Sequence, residues 1–305
     1  MMVADNKKKE SYLNICPVCD SKRLRGFFVV TQEIGGGREM ELFSCEKCGI
    51  IFASDYELSR NGIYGEDYAP WSKKGKEEEK MISQAKKTAF RNQIEQLPRD
   101  VLRKKGKALD VGTGAGYLLE ILKEFGFDVS GTEVSTYWKE AVEKKFPNRV
   151  SLGELETANF ENEFFDLVLL TDVLEHLSDP KKTLREVGRI LKPRGYLFIT
   201  SPNSDSVTRK LLGKKWFQYK YEHLFYFNRK SLNWLLCENN LHLVKFKNNW
   251  KKFSFNYYYY YFQKYSFFGI EKLIKTFFWL VLGRARNVCF SNPITGEFLA
   301  VARKD

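Results

Sequence analysis

Four of the six cysteines stand in two Cys-x-x-Cys pairs, Cys16 and Cys19 in "CPVC" and Cys45 and Cys48 in "CEKC". Each pair brings two thiolates to one side of a tight turn. Two such turns supply the four soft ligands of a tetrahedral zinc ion. Gly49 follows the second pair, where the chain has to turn around the ion. A closed four-sulfur shell has no position left for substrate, so the zinc expected here is structural. Two disulfides or a redox pair are the other chemistries these spacings allow. Cys237 and Cys289 stand alone and read as small buried thiols.

The chain has three histidines, and two of them sit in Glu-His-Leu triplets: Glu175–His176 in "DVLEHLSDP" and Glu222–His223 in "YEHLFYF". Three chemistries are open to them. Glu175 and His176 can be structural, the glutamate starting a helix and the histidine covering a ligand. A histidine titrating near neutrality can act as general base, with His223 first and His176 second. Asp172, Glu175, His176 and His223 can together hold a divalent metal, which would accept the carboxylates as hard ligands. His242 falls in a predicted strand and reads as structural.

A third constellation lies in "KKGKALDVGTGAGYLLEILKEFGFDVSGTEVS", residues 104–135. "KALDV" reads as a buried strand, "GTGAGY" as a tight turn, "YLLEILKEFG" as an amphipathic helix ended by Gly126, and "FDVSGTEV" as the next strand. Gly112, Gly114 and Gly116 let a ligand approach the backbone at the helix N-terminus. The third glycine of a dinucleotide fingerprint would fall at position 117, which is Tyr117. Asp110 ends the first strand. Glu133 ends the second, where a carboxylate can accept both hydroxyls of a ribose.

These groups need elements to position them. "GFFVVTQEI" and "EMELFSC" read as strands joined by the glycines at 35–37, filling the gap between the cysteine pairs. A polar connector follows, then a helix over 77–97 closed by Pro98. Asp179 and Pro180 read as N-cap and first helical residue, and "YLFIT" as a strand. "LHLVKFK" and "GEFLAVARK" read as closing strands. Alternating strands and helices imply a mostly parallel sheet with ligands at the strands' C-terminal edge. With 305 residues there is room for a small module over 1–62 and one large domain over 63–305. Within the large domain the glycine-loop core falls at about 104–204, and a second set of elements follows at about 205–290.

Charge and hydropathy narrow the class further. The net charge of +12 suits an acidic or phosphate-bearing partner. The longest apolar run, "TFFWLVLG", is far short of the roughly 20 residues that span a bilayer. The start of the chain carries no apolar segment, so a cytoplasmic protein with reduced cysteines is expected.

The pieces "LDVGTGAG", "GELETANF", "FDLVLLTDVLEHL" and "LKPRGYLFITSPN" resemble the class I S-adenosylmethionine-dependent methyltransferases. The pairing of an N-terminal zinc ribbon with a late "EHLFYF" element resembles one branch of them. The resemblance implies a Rossmann-like α/β fold with a seven-stranded, mostly parallel sheet, the last strand antiparallel. It implies that Asp110 and the loop Gly112–Thr113–Gly114–Gly116 hold the methionine end of the cofactor, and that Glu133 binds its ribose. Glu154, beside Leu155, stands where the family carries an aspartate at the adenine. Thr171 and Asp172 would border the methyl group. The family builds its acceptor site after the fifth strand, which favours His223 as base. The "DVLEH" pattern with a later histidine also resembles the small-RNA 2′-O-methyltransferases, which bind magnesium through such residues.

The expected acceptor is a small molecule or glycan, methylated at oxygen. Lys210, Lys214, Lys215, Lys220, Arg229 and Lys230 would face a phosphate, and Trp216, Tyr219 and Tyr221 would stack on a ring. An RNA 2′-O-methyltransferase is the first alternative, and a non-catalytic cofactor-binding scaffold the second. The aromatic insertion over 253–283 would roof the acceptor pocket, join two copies, or rest on a membrane surface.

Overall fold

The computed structural model describes residues 14–32, 38–54, 76–254, 289–292 and 295–305. Strands β1 (Leu24–Gln32) and β2 (Arg38–Cys45) pair antiparallel, and β3 (Ile51–Ala53) adds to β2. The glycine turn at 35–37, the connector with the boundary near residue 62, and all but the start of the insertion at 253–283 lie outside the described residues.

Helix α1 (Lys76–Ile94) stops four residues before Pro98, and a second helix, α2 (Arg99–Lys104), starts directly after it. The proline cannot continue α1, yet its fixed φ suits the start of α2. Next come β4 (Lys107–Val111), α3 (Tyr117–Glu124), β5 (Asp128–Glu133), α4 (Thr136–Glu143), β6 (Val150–Leu152), β7 (Phe165–Thr171), α5 (Pro180–Ile190) and β8 (Leu191–Pro202). After β8 come α6 (Val207–Leu212), β9 (Phe225–Tyr226), α7 (Arg229–Cys237) and β10 (Leu241–Asn248). A hairpin of β11 (Lys251–Ser254) and β12 (Cys289–Asn292) precedes β13 (Glu297–Lys304).

The main sheet has seven strands in the order β10-β13-β8-β7-β4-β5-β6, and only β13 runs against the rest. This is the Rossmann-like methyltransferase sheet expected from the sequence. Strand β7 is buried along "FDLVLL" because elements cover both faces of the sheet. Every parallel strand ends at one edge, so Asp110, Glu133, Thr171 and Ser201 converge there.

The cysteine module does not stand apart from this body. Its sheet has a fourth strand, β9, paired antiparallel to β3. The four cysteines share a hydrophobic cluster with Phe52, Val168, Phe225, Phe227 and Leu232. A smaller cluster joins Val30, Met40, Leu42 and Ile51 to Trp216, Tyr219 and Tyr226. Trp216 and Tyr219 are therefore packing residues rather than exposed platforms for a substrate ring. Cys237 also departs from expectation: it is exposed at the end of α7. Cys289 lies in β12, and its side chain is outside the described residues.

Candidate active site

The loop after β4 is built around Glu133. Its carboxylate accepts from the amide of Gly114 at 2.7 Å and of Ser135 at 2.9 Å, tying the glycine turn to the end of β5. Burial nevertheless pushes this carboxyl above its usual range. Asp110 is buried, and burial and the nearby Glu133 charge push it well up. Among the described residues, Asp110 Oδ2 and Thr113 Oγ1 are buried with no hydrogen-bond partner. Buried polar atoms of native proteins are nearly always satisfied, so both point to a polar ligand. Gly114 has φ +50°, and a Cβ built on it would meet nothing within 4 Å. The loop thus leaves open space above its backbone, as a cofactor cradle requires.

Glu154 is exposed at the head of a single turn over Leu155–Thr157, while Leu155 is buried in the main core. The Leu155 side chain is a packing group, and only its backbone is placed to serve a ligand.

Past β7 the chain turns sharply. Asp172 takes φ +55° and is held by its neighbours: Thr200 Oγ1 donates to Oδ1 at 2.8 Å and Lys251 Nζ to Oδ2 at 2.7 Å. Lys251 also reaches Glu297 at 2.9 Å. Burial opposes ionisation of Asp172, but the Lys251 charge prevails and keeps its carboxyl below the usual range. Asp172 is therefore the half-exposed end of an ion-pair triad whose other members, Lys251 and Glu297, are more buried. It does not join the metal set expected from "DVLEH".

The remaining three members of that set do come together. The ligand atoms of Glu175, His176 and His223 all lie within 4.8 Å of one another. Glu175 sits in the turn Leu174–His176, while Asp179 caps α5 by accepting from the Lys182 amide, so Glu175 does not start that helix. Glu175 Oε2 accepts from Ser201 Oγ at 2.9 Å. Burial, then the Asp172 charge, pushes its carboxyl up to about 8.

The two imidazoles meet edge to face with centroids 4.7 Å apart. His176 Nδ1 lies 2.7 Å from the Glu222 carbonyl and His223 Nδ1 2.8 Å from the Gln218 carbonyl. A carbonyl only accepts, so both Nδ1 atoms carry hydrogen, and a neutral ring then has its lone pair on Nε2. Burial holds His176 below the ordinary range. Burial, with the charges of His176 and Lys220, holds His223 well below it.

His242 is on the surface with Asp305, away from this group. Lys210, Lys214, Lys215, Arg229 and Lys230 are exposed. Lys251, Glu297, Thr200 and Ser201 are the site residues that sequence reading missed. The one available signal was Glu297, an acid directly ahead of the apolar run Phe298–Ala302.

The four cysteine sulfurs lie within 4.8 Å of one another, with Cys16–Cys48 at 3.6 Å and Cys19–Cys45 at 3.5 Å. Four sulfurs about 2.3 Å from a tetrahedral zinc stand about 3.8 Å apart, so the set fits that ion. The contact between Cys16 and Cys48 splits the pair: it draws the Cys16 thiol down to about 5 and pushes Cys48 well up, so one proton is shared between them until a metal displaces it.

A methyltransferase-domain family profile matches residues 81–245. The chain is a class I S-adenosylmethionine-dependent methyltransferase. The methyltransferase shares 30% identity over 188 residues, 61% of this chain and 80% of the other, with an uncharacterised protein of Methanocaldococcus jannaschii. It is 30% identical over 105 residues to the ubiquinone biosynthesis O-methyltransferase of Coxiella burnetii, covering 32% of this chain and 45% of that one. The chain thus spans less than half the length of that relative.

Among solved structures, an S-adenosylmethionine-dependent methyltransferase from Archaeoglobus fulgidus is similar with a TM-score of 0.50 at 20% identity, covering 74% of this chain and 97% of that one. A complex of the Haloferax volcanii Trm112 activator with a methyltransferase gives 0.51 at 17% identity, covering 74% and 93%. These likenesses concern the fold. Among the described residues no helix is long and apolar enough to cross a membrane.

Proposed function

We propose that the methyltransferase moves a methyl group to a hydroxyl of a small-molecule or glycan-type acceptor, with His223 as the base. The observation that carries this reading is the buried His223 ring, oriented by the Gln218 carbonyl and set against Glu175 and His176. When bound, S-adenosylmethionine supplies a sulfonium-activated methyl group. Asp110, Thr113 and the 112–116 backbone hold its methionine end, and Glu133 its ribose. Glu154 and the Leu155 backbone border the adenine, and Thr171 and Asp172 the reacting end. On the chain's side, Nε2 of His223 would take the acceptor hydroxyl's proton as its oxygen, held in line with the methyl carbon, displaces the sulfide. The match to ubiquinone O-methyltransferases over a third of the chain supports transfer to oxygen. We place the enzyme in the cytoplasm, where its thiols stay reduced for zinc.

A second reading adds a divalent metal at Glu175, His176 and His223. The convergence of three ligand atoms favours it, and two imidazoles suit manganese or zinc better than magnesium. Glu175, His176 and His223 would then hold an ion that would acidify the acceptor hydroxyl, and His223 would be a ligand instead of the base. RNA is then an acceptor to test, gripped by the exposed lysines. The deciding experiment is a transfer screen with labelled S-adenosylmethionine against sugar nucleotides, lipid-linked glycans and RNA, with and without manganese. Labelling of RNA alone, with binding that falls steeply with salt, would replace the small-molecule reading.

A further inference from the structure

We infer that the four-cysteine module is the device that positions His223, so that the acceptor side of the active site is assembled on a zinc-dependent sheet. The inference rests on the reading of His223 as the acceptor-side base. The link is a single residue wide. Leu224, next to His223, donates its amide to the Glu175 carbonyl at 2.8 Å and accepts at its own carbonyl from the Ala53 amide at 2.9 Å. One peptide segment is therefore clamped between the catalytic turn and the end of β3.

Two-residue β9 cannot persist alone; it needs a neighbouring strand, and among the described residues its sheet partner is β3. Phe225 lies opposite Phe52, and Tyr226 opposite Ile51. The orientation of the His223 ring depends on the same module. The Gln218 carbonyl that fixes Nδ1 lies between Trp216 and Tyr219, and both are buried against Val30, Met40 and Leu42 of the module's sheet.

The metal knuckle reaches this joint directly. Asn228 Nδ2 donates to the carbonyl of Gly49, the residue after Cys48, at 3.1 Å. Gly49 has φ +79°, and a Cβ there would fall 2.7 Å from Asn228 Nδ2. A glycine is required both for the turn around the ion and for the approach of the acceptor element. The same Asn228 caps α7 through Oδ1, which accepts from the Ser231 amide at 2.8 Å.

This double role allows a clean test. Asn228→Asp keeps the cap but replaces the donor facing Gly49 with an acceptor. Three histidines in the chain make ring-¹⁵N labelling simple to read, and surface His242 is an internal control. The full chain is examined zinc-loaded, after zinc removal by a chelator, and as the zinc-loaded Asn228→Asp variant. The expected result is a shifted or broadened His223 resonance in both altered proteins, with His242 unchanged and S-adenosylmethionine affinity within about twofold. The rate constant for transfer falls at least tenfold with the cofactor KM unchanged.

An unaltered His223 resonance in the variant, with zinc and cofactor bound, overturns the inference. So does an unaltered resonance in a zinc-free chain that keeps its fold. If chelation unfolds the chain, the variant decides alone. The resonance is read without any acceptor. A shift in it therefore supports the positioning role even if no hydroxyl is ever methylated, an outcome that would sink only the proposed function.

Discussion

The rings of His176 and His223 stand 4.7 Å apart, edge to face, although 47 residues separate them along the chain. Each ring is held by a carbonyl of the 218–222 segment, and Glu175 lies within reach of both. A pair of imidazoles against a buried carboxyl is a proton-handling group or an ion cage. The two differ in what a metal does to them.

Manganese or zinc added to the cysteine-zinc-loaded protein should raise the melting temperature by a few degrees under the metal reading. Binding at about 100 times Kd contributes roughly 2.7 kcal/mol. Glu175→Ala should abolish that rise while leaving the zinc content of the cysteine module unchanged. No rise in the parent protein removes the metal reading and leaves His223 as free base.

The pH dependence of stability should have two limbs. Burial raises the Glu175 pKa to about 8, so the folded state keeps a proton that the unfolded chain releases. Stability is full below the unfolded value and declines as pH rises from about 4.5 to about 8. The histidines act in the opposite sense. Their folded pKa values are depressed, so stability is present above about 6.5 and is lost as pH falls below it. Denaturant melts across pH should show Glu175→Gln removing the upper limb and His223→Gln weakening the lower one.

Lys251→Met should be costly. It leaves the largely buried Glu297 carboxylate, and that of Asp172, without their cation. Breaking a buried pair from one side typically costs about 3–5 kcal/mol. Lys251→Met combined with Glu297→Gln should recover part of that loss, as read from urea midpoints. A single-variant loss below about 1 kcal/mol would show that the triad is effectively solvated.

Glu133→Ala removes the acceptor of the Gly114 and Ser135 amides and the group assigned to the ribose. Hydrogen bonds to charged groups contribute about 1.5–3 kcal/mol each, so S-adenosylmethionine affinity should fall by tenfold or more in calorimetry. Glu175→Gln serves as the control and should leave that affinity unchanged.

The cofactor half of the fold was legible because its signals are local. An apolar run, a glycine turn and an acid at the next strand end lie within 30 residues of one another, and periodicity placed β4, α3 and β5 nearly to the residue. The cysteine pairs were equally plain, since ligand type and spacing are the chemistry itself. What could not be read was long-range. Nothing in "FYF" announces that it will pair with "IFA" some 170 residues earlier, because a two-residue strand has no period. Trp216 and Tyr219 looked like an exposed aromatic ladder, and only the module's sheet explains their burial. Asp172 looked like a metal ligand in "DVLEH", but Lys251, from beyond β10, claimed its charge.

Strand β13 lies between β8 and β10, and it is the last of the seven in chain order. During synthesis the sheet therefore waits with β8 unpaired on one side until residues 297–304 arrive. An open edge of that length is a template for wrong partners. A slowed ribosome just before β13 would lengthen the time that this edge of β8 stays open.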